Sequence, residues 1–243
     1  MAKVRLFIDH PLAAGQPVPL GPDQAHYLSG VMRLRTGDEI LVFNGCDGEW
    51  LARIEQAAKR GGILLAVEQT APQRDPPDLW LVFAPIKKAR TDFIVEKAAE
   101  MGAARILPVQ TDFTNAERIR QDRLQAHAVE AAEQCGGTFV PPVADLVPLA
   151  RLLDGWDTAR RLLWADEAAA GAAAPLAGLP RGPWAILIGP EGGFSAAERQ
   201  RLGGLPFVHR IGLGPRILRA DTAAVAALAL WQSALGDWQG PAG

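Results

Sequence analysis

Two stretches near the C-terminal end combine glycine with charged neighbours. Gly189-Pro190-Glu191-Gly192-Gly193 follows the apolar run Trp184–Ile188. Gly212-Leu213-Gly214-Pro215 follows Phe207–Ile211 and leads into Arg216-Ile217-Leu218-Arg219-Ala220-Asp221-Thr222. Glycine lets backbone N–H and C=O groups come close to a ligand. Two such loops at neighbouring strand ends make a place for a nucleotide-like molecule in an α/β sheet. Ser195-Ala196-Ala197-Glu198 reads as a capping box, which pins the first loop to a helix start, where a phosphate or carboxylate is favoured. No Gly-Lys-Ser/Thr follows, so this is not a P-loop. Ile217 stands where G-x-G-x-x-G needs its third glycine. The same spacing also describes two tight turns that bind nothing. Glu191 reads equally as an exposed turn residue, and Asp221-Thr222 as the N-cap of an apolar helix.

These loops need a sheet to hold them. Leu79–Ala84 is a continuous apolar run of the kind found in buried strands. A helix over Thr91–Met101 follows, with Phe93, Ile94, Ala98 and Met101 on one stripe and Gly102 closing it. Ala104–Leu107 is the next strand, ended by Pro108, which completes a βαβ unit. Further on, the pattern predicts helices over Asn115–Cys135 and Leu146–Leu153, a strand at Arg161–Trp164, and a surface insertion in the alanine-rich run 168–174. A closing helix over Thr222–Leu235 is apolar nearly all round. The N-terminal part has a different texture. Short strands at residues 3–8, Glu39–Phe43, Trp50–Ile54 and Ile63–Val67 are separated by turns, among them the hairpin signal Asn44-Gly45. They suggest a small β-barrel with one helical insertion, Gln24–Leu34. The proline-rich APQRDPP at 71–77 separates the two patterns and reads as a semi-rigid linker.

The 243 residues suit one large or two small domains, and 49% hydrophobic content supports sizeable cores. A net charge of −2 gives no global basic field. Of the 25 basic residues, 20 are arginine; arginine is the better fork for phosphate, though a genomic base-composition bias produces the same skew. Cys46 and Cys135 show no metal spacing, so no metal is expected. The N-terminus lacks the apolar run of a signal peptide, and no stretch reaches the ~18 apolar residues of a membrane span. A soluble, cytoplasmic protein is expected.

The pair IGPEGGFSAAE and LGPRILRADTA resembles the SPOUT class of methyltransferases, and more narrowly the bacterial enzymes that methylate N3 of a uridine in 16S ribosomal RNA. Weaker similarity extends through nearly the whole chain. The resemblance implies an α/β fold: a PUA-like RNA-binding β-barrel over residues 1–71, the linker 72–77, and a SPOUT trefoil-knot domain over 78–243. It implies S-adenosylmethionine as cofactor, held by Gly189, Pro190, Glu191, Gly193, Leu213, Gly214, Ile217 and Leu218. It implies a homodimer, with 16S rRNA as partner, free or within an assembled small subunit. His26, Arg33 and Arg35 match the family's RNA-facing helix, and Lys87 and Arg90 its K-K-A-R stretch, where with Lys88 they form a cationic cluster suited to phosphates. Tyr27 stands where the family usually has a second histidine, and Gly137 follows E-Q-C-G where it commonly has arginine. Residues up to Ala71 hold 7 basic and 8 acidic side chains, so any RNA surface there is a local patch, and Arg33 and Arg35 read equally as a solvated face.

Uracil N3 carries a proton and is a poor nucleophile until that proton leaves. The protein must align donor and acceptor, assist proton loss and stabilise the uridine anion. Arg219 suits anion stabilisation, and Asp221 suits orienting Arg219 or carrying the proton; the family more often has glutamate at this position. Other functions fit parts of the pattern. Ribose 2′-O methylation by another SPOUT enzyme lacks its differently placed arginine here, a non-catalytic RNA-binding protein would not need both loops, and an NAD oxidoreductase would need G-x-G-x-x-G.

Overall fold

The structure is a computed structural model that describes residues 4–58, 61–115, 118–169, 176 and 178–239. The chain divides into two compact units: residues 1–75 with 132–140, and residues 76–131 with 141–243.

The first unit is a five-stranded sheet in the order β1-β3-β4-β5-β2, formed by β1 (Arg5–Phe7), β2 (Pro17–Leu20), β3 (Glu39–Phe43), β4 (Glu49–Ala58) and β5 (Gly61–Ala71). Alternation sets its inner face: Leu6, Val18, Ile40, Val42, Ile54 and Leu64 enter one core with Ala25 and Leu28. Strand β2 escaped the sequence reading because Pro17 and Pro19 interrupt it. It lies at the sheet edge, with both prolines exposed and alternating with buried Val18 and Leu20, where a missing N–H costs no ladder bond. The Asn44-Gly45 turn is longer than a two-residue hairpin. The Asn44 side chain accepts from the N–H groups of Cys46 and Asp47, at 3.0 and 2.8 Å. The expected helix over Gln24–Leu34 is instead α1 (Pro22–His26) running into a π-helical turn, Tyr27–Val31, and Arg33 then takes a left-handed φ of 57°.

Residues 132–140 belong to this unit because Arg5 binds them. Its guanidinium donates to the carbonyls of Ala132, Glu133 and Gly137 at 2.7, 2.9 and 3.0 Å and to Glu49 Oε2 at 2.7 Å. A helix end leaves such carbonyls unpaired, and Arg5 satisfies them. Glu133 of E-Q-C-G accepts from the N–H of Phe7 at 2.8 Å.

The second unit is a six-stranded sheet, order β11-β9-β10-β6-β7-β8, with β6 (Leu79–Phe83), β7 (Arg105–Gln110), β8 (Val147–Pro148), β9 (Arg161–Ala165), β10 (Trp184–Ile188) and β11 (Val208–Ile211). Every pairing is parallel. Strand β10 is buried along its whole length, as its unbroken apolar sequence requires of a strand covered on both faces. On one face Val82, Leu162, Trp164, Ala185 and Leu187 pack with residues of α4 (Leu149–Asp154) and α5 (Ala196–Gly203). On the other lie α2 (Lys88–Glu100) and α6 (Ala220–Ala234), packed on each other.

Several local expectations shift. Strand β7 runs through Pro108. The N–H and C=O of Ile106 bond to Pro142 and Ala144, and Pro108, two residues on, turns its missing N–H to the same side, between that bridge and β8. Helix α2 begins at Lys88, and its buried face is Thr91, Ile94, Val95 and Ala98, whereas Phe93 is 38% exposed. Helix α3 (Gln121–Cys135) starts six residues later than its polarity pattern suggested. The expected helix at Leu146–Leu153 opens as strand β8. Helix α6 buries one face, Ala220, Ala224, Ala227, Leu228 and Trp231, and leaves Leu230 41% exposed. Of the alanine-rich run 168–174, positions 170–174 lie outside the described residues.

Candidate active site

At the carboxyl ends of β9, β10 and β11 the second unit holds a cavity of about 450 Å³, within the range that takes a small cofactor. This is the end of a parallel sheet where ligands collect. All eight residues expected from the sequence to hold a cofactor line it: Gly189, Pro190, Glu191 and Gly193 from the first loop, and Leu213, Gly214, Ile217 and Leu218 from the second. Arg219 lines it too. So do Lys87 and Arg90, expected to face RNA, which places both at the mouth of this same cavity. His26, Arg33 and Arg35 belong to the first unit, where all three are exposed beside Val31 and Met32 at 59% and 40% exposure, a mixed cationic and apolar patch.

The first loop is built as its sequence requires. Ser195 accepts from the N–H of Glu198, and Glu198 Oε2 accepts from the N–H of Ser195 at 2.9 Å, so the capping box is formed. Gly193 adopts φ +70°, and a Cβ there would fall 2.1 Å from Glu167 Oε1. Its glycine is therefore demanded by backbone conformation and by the neighbouring carboxylate. At Gly214, φ +97°, added atoms would meet open space, so here the conformation alone selects glycine.

The sequence reading missed the charged frame behind the loops. Asp166, immediately after β9, is 2% exposed and lines the cavity. It accepts from Arg210 Nε at 2.6 Å, from the N–H of Ala168 at 3.1 Å, and from Arg199, whose second amino group pairs with Glu167. Burial pulls the Arg199 guanidinium down, but its bonds and charge contacts with Asp166 and Glu167 outweigh this, so its pKa lies above the usual arginine range. The available signal was an acidic pair directly at the carboxyl end of an apolar strand.

A second ion-pair group closes the opposite wall. Arg90 Nη1 donates to Glu191 Oε1 at 3.0 Å, and its Nε lies 3.7 Å from Asp221 Oδ2. Asp221 is thus partnered with Arg90, not with Arg219 as the sequence suggested. Nor is it the N-cap: that position is Arg219, and Asp221 sits in the first turn of α6, accepting from the N–H of Thr222 at 2.9 Å, where its charge suits the helix dipole. Arg219 is exposed at the cavity edge; its carbonyl accepts from the N–H of Ala223 at 2.7 Å, and its side chain has no hydrogen-bond or ion-pair partner among the described residues. Among the described residues no group of His, Cys, Asp and Glu could hold a metal ion, and no helix is long and apolar enough to cross a membrane.

The cavity suits S-adenosylmethionine on the structure's own terms. Apolar Leu213, Ile217, Leu218 and Ala223 offer surface to a purine, and the loop backbones offer hydrogen bonds.

Comparison with known proteins agrees. The RNA methyltransferase domain model matches residues 73–232, and the RNA methyltransferase PUA domain model matches residues 20–67. Ribosomal RNA small subunit methyltransferase E of Rickettsia conorii is 30% identical over 229 residues, 93% of each chain. Its Bacillus subtilis counterpart is 29% identical, covering 85% of this chain and 86% of its own. The crystal structure of the Neisseria gonorrhoeae enzyme of the same name, bound to S-adenosylmethionine, superposes with a TM-score of 0.88 at 27% identity, covering 98% of this chain and 100% of that one. A Legionella pneumophila methyltransferase solved with the same cofactor superposes with a TM-score of 0.88 at 28% identity and the same coverage. With a PUA-like sheet domain, a parallel α/β domain and a cofactor-sized cavity at the strand ends, the chain belongs to the family of ribosomal RNA small subunit methyltransferases E.

Proposed function

We propose that this protein transfers a methyl group from S-adenosylmethionine to N3 of a uridine in the RNA of the small ribosomal subunit. The observation that carries this is the cavity between the two glycine loops, with the Arg219 side chain, unpartnered among the described residues, at its edge. Gly189, Gly193, Leu213, Gly214 and Leu218 would hold the cofactor. Bound there, it supplies an electrophilic methyl group on a sulfonium. The uridine would lose its N3 proton to solvent and gain the N3–CH₃ bond as the methyl–sulfur bond breaks and leaves a neutral thioether, and Arg219 at the cavity edge would stabilise the intervening anion. Asp221 is a positioning residue that acts through Arg90. Lys87 and Arg90 meet the phosphate of the entering nucleotide, and His26, Arg33 and Arg35 contact RNA from the first unit. An activity on ribosomal RNA supports a cytoplasmic location.

The reading is tested with small-subunit RNA from a strain lacking the protein. Purified protein and cofactor should create a primer-extension stop at one uridine, because N3 methylation blocks the Watson–Crick edge. A methylated product without a stop would point to ribose 2′-O transfer and sink the N3 assignment; absence of cofactor binding by calorimetry would sink the whole reading.

A homodimer also belongs to this proposal. Phe93 on α2 and Leu230 on α6 are exposed on two helices that pack together, and burying such side chains is worth roughly 1.5–3 kcal/mol each. Light scattering at micromolar concentration should give twice the 26.0 kDa chain mass; the mass of a single chain would exclude the dimer.

A further inference from the structure

The first turn of α2 divides two cavities. Lys87 and Arg90 line the one already described; Lys88, Thr91 and Asp92 line another, of about 390 Å³. Residues three and four apart share one side of a helix, so adjacent side chains of this turn serve different cavities. The second cavity is completed by residues 118–124, and its described lining carries the cationic side chains Lys88, Arg118, Arg120 and Arg123 and the carboxylate Asp92. That local excess of positive charge stands in a chain whose net charge is −2.

The cations differ in how they are held. Arg123 is fixed by Asp92, which also lies 3.7 Å from His127 Nε2. Arg120 pairs with Asp122 at 2.6 Å in the open. The side chains of Lys88 and Arg118 are exposed and have no partner among the described residues. Thr91 anchors the turn by bonding to both the N–H and the C=O of Ile86, at 3.0 and 3.1 Å. Pro85, Ile86, Ile119 and Leu124 supply an apolar wall. Unpaired cations beside an apolar wall fit a nucleotide: the charges take the phosphate and the wall takes the ribose or base.

We propose that this second cavity holds a backbone phosphate and its nucleotide from the substrate RNA, next to the uridine undergoing methylation. The proposal rests on reading the first cavity as the methyl-transfer site. The shared turn of α2 then lets one RNA strand pass from one cavity to the other across Lys87, Lys88 and Arg90.

The test uses the full chain and the double variant Lys88→Ala/Arg118→Ala, which removes two exposed side chains without stranding a buried partner. Methyl transfer to small-subunit RNA from a strain lacking the protein is followed against RNA and salt concentration, and cofactor affinity is measured by calorimetry. The expected result is a KM for RNA raised about tenfold or more. The slope of log affinity against log salt should be shallower by about 0.7 per lost phosphate contact. Cofactor affinity and the rate at saturating RNA should stay within twofold. An unchanged KM and salt slope would overturn the proposal. So would an unchanged KM accompanied by loss of competition by inorganic phosphate or a mononucleotide, which would make this a free-anion site. Failure of the wild-type protein to bind cofactor would instead overturn the function on which the proposal rests.

Discussion

Replacing Arg219 with alanine should cut methyl transfer by about 10²–10³-fold, the loss typical of one preorganised donor to transition-state charge, while cofactor affinity and the thermal midpoint stay near wild type. The separation follows from where Arg219 sits. Its side chain is exposed at the cavity edge and partners no described residue, so the folded state gains little from its charge. Its backbone caps α6 without help from its side chain, so alanine leaves the cap geometry in place. Arg219→Lys should recover only part of the rate, because a point charge does not reproduce the planar guanidinium fork. Asp221→Asn separates the two acidic readings: it keeps the bond to the N–H of Thr222 and removes the charge beside Arg90, and a raised KM with little change in kcat is expected of a residue acting through Arg90. Wild-type transfer by Arg219→Ala, measured with radiolabelled donor, would end the proposed mechanism.

Asp166→Ala should be the most destabilising change at the site. The Asp166 side chain is fully buried and holds Arg199 and Arg210, which are 27% and 50% exposed. Removing one partner of a fully buried pair costs about 3–5 kcal/mol. Water reaches both arginines here, which reduces the figure to about 2–4 kcal/mol. In a chain of this length that lowers the thermal midpoint by roughly 4–16 °C. Cofactor affinity should fall more than tenfold, because Arg199 also donates to the carbonyl of Phe194 at 3.0 Å, next to Gly193, and so ties the first loop to the end of β9. Asp166→Asn keeps the volume and one acceptor and should lie between the two. A midpoint and a calorimetric affinity both unchanged in Asp166→Ala would show that the loop holds its shape without this frame.

Much of the fold was legible because its signals are local. The boundaries of β3 and β10 follow from flanking turn residues in one case and an unbroken apolar run in the other. The capping box at Ser195 is a contact between residues three apart. The two glycine loops declared themselves because positive φ at Gly193 and Gly214 selects that residue type at any distance from the rest of the fold. The SPOUT and PUA-like resemblance then linked these local signals to a known architecture.

What stayed hidden depends on neighbours distant in the chain. The sequence by itself determined most of the strands, though neither β2 nor β8, where the chain turns sharply, and that two loops of ligand-binding type lie near one end. It did not determine the strand order. Only in the sheet does β9 enter between β10 and β11, which carries Asp166 to the cavity and makes a routine strand end into its charged frame. Only there does Arg90 reach Glu191, 101 positions away, and take Asp221 from the nearer Arg219. Pro108 ends a strand by local propensity, yet β7 continues because its missing N–H faces a break in the neighbouring pairing. Phe93 fits a helical stripe, but α2 turns Thr91, Ile94, Val95 and Ala98 inward instead. Residues 132–140 join the first unit because Arg5 satisfies the carbonyls of a helix end more than a hundred residues away. Periodicity and turn chemistry are properties of short segments and can be read from one chain. Parallel strand order, ion-pair choice and the burial of a carboxylate are set by crossover connections and desolvation, and these arise only when distant segments meet.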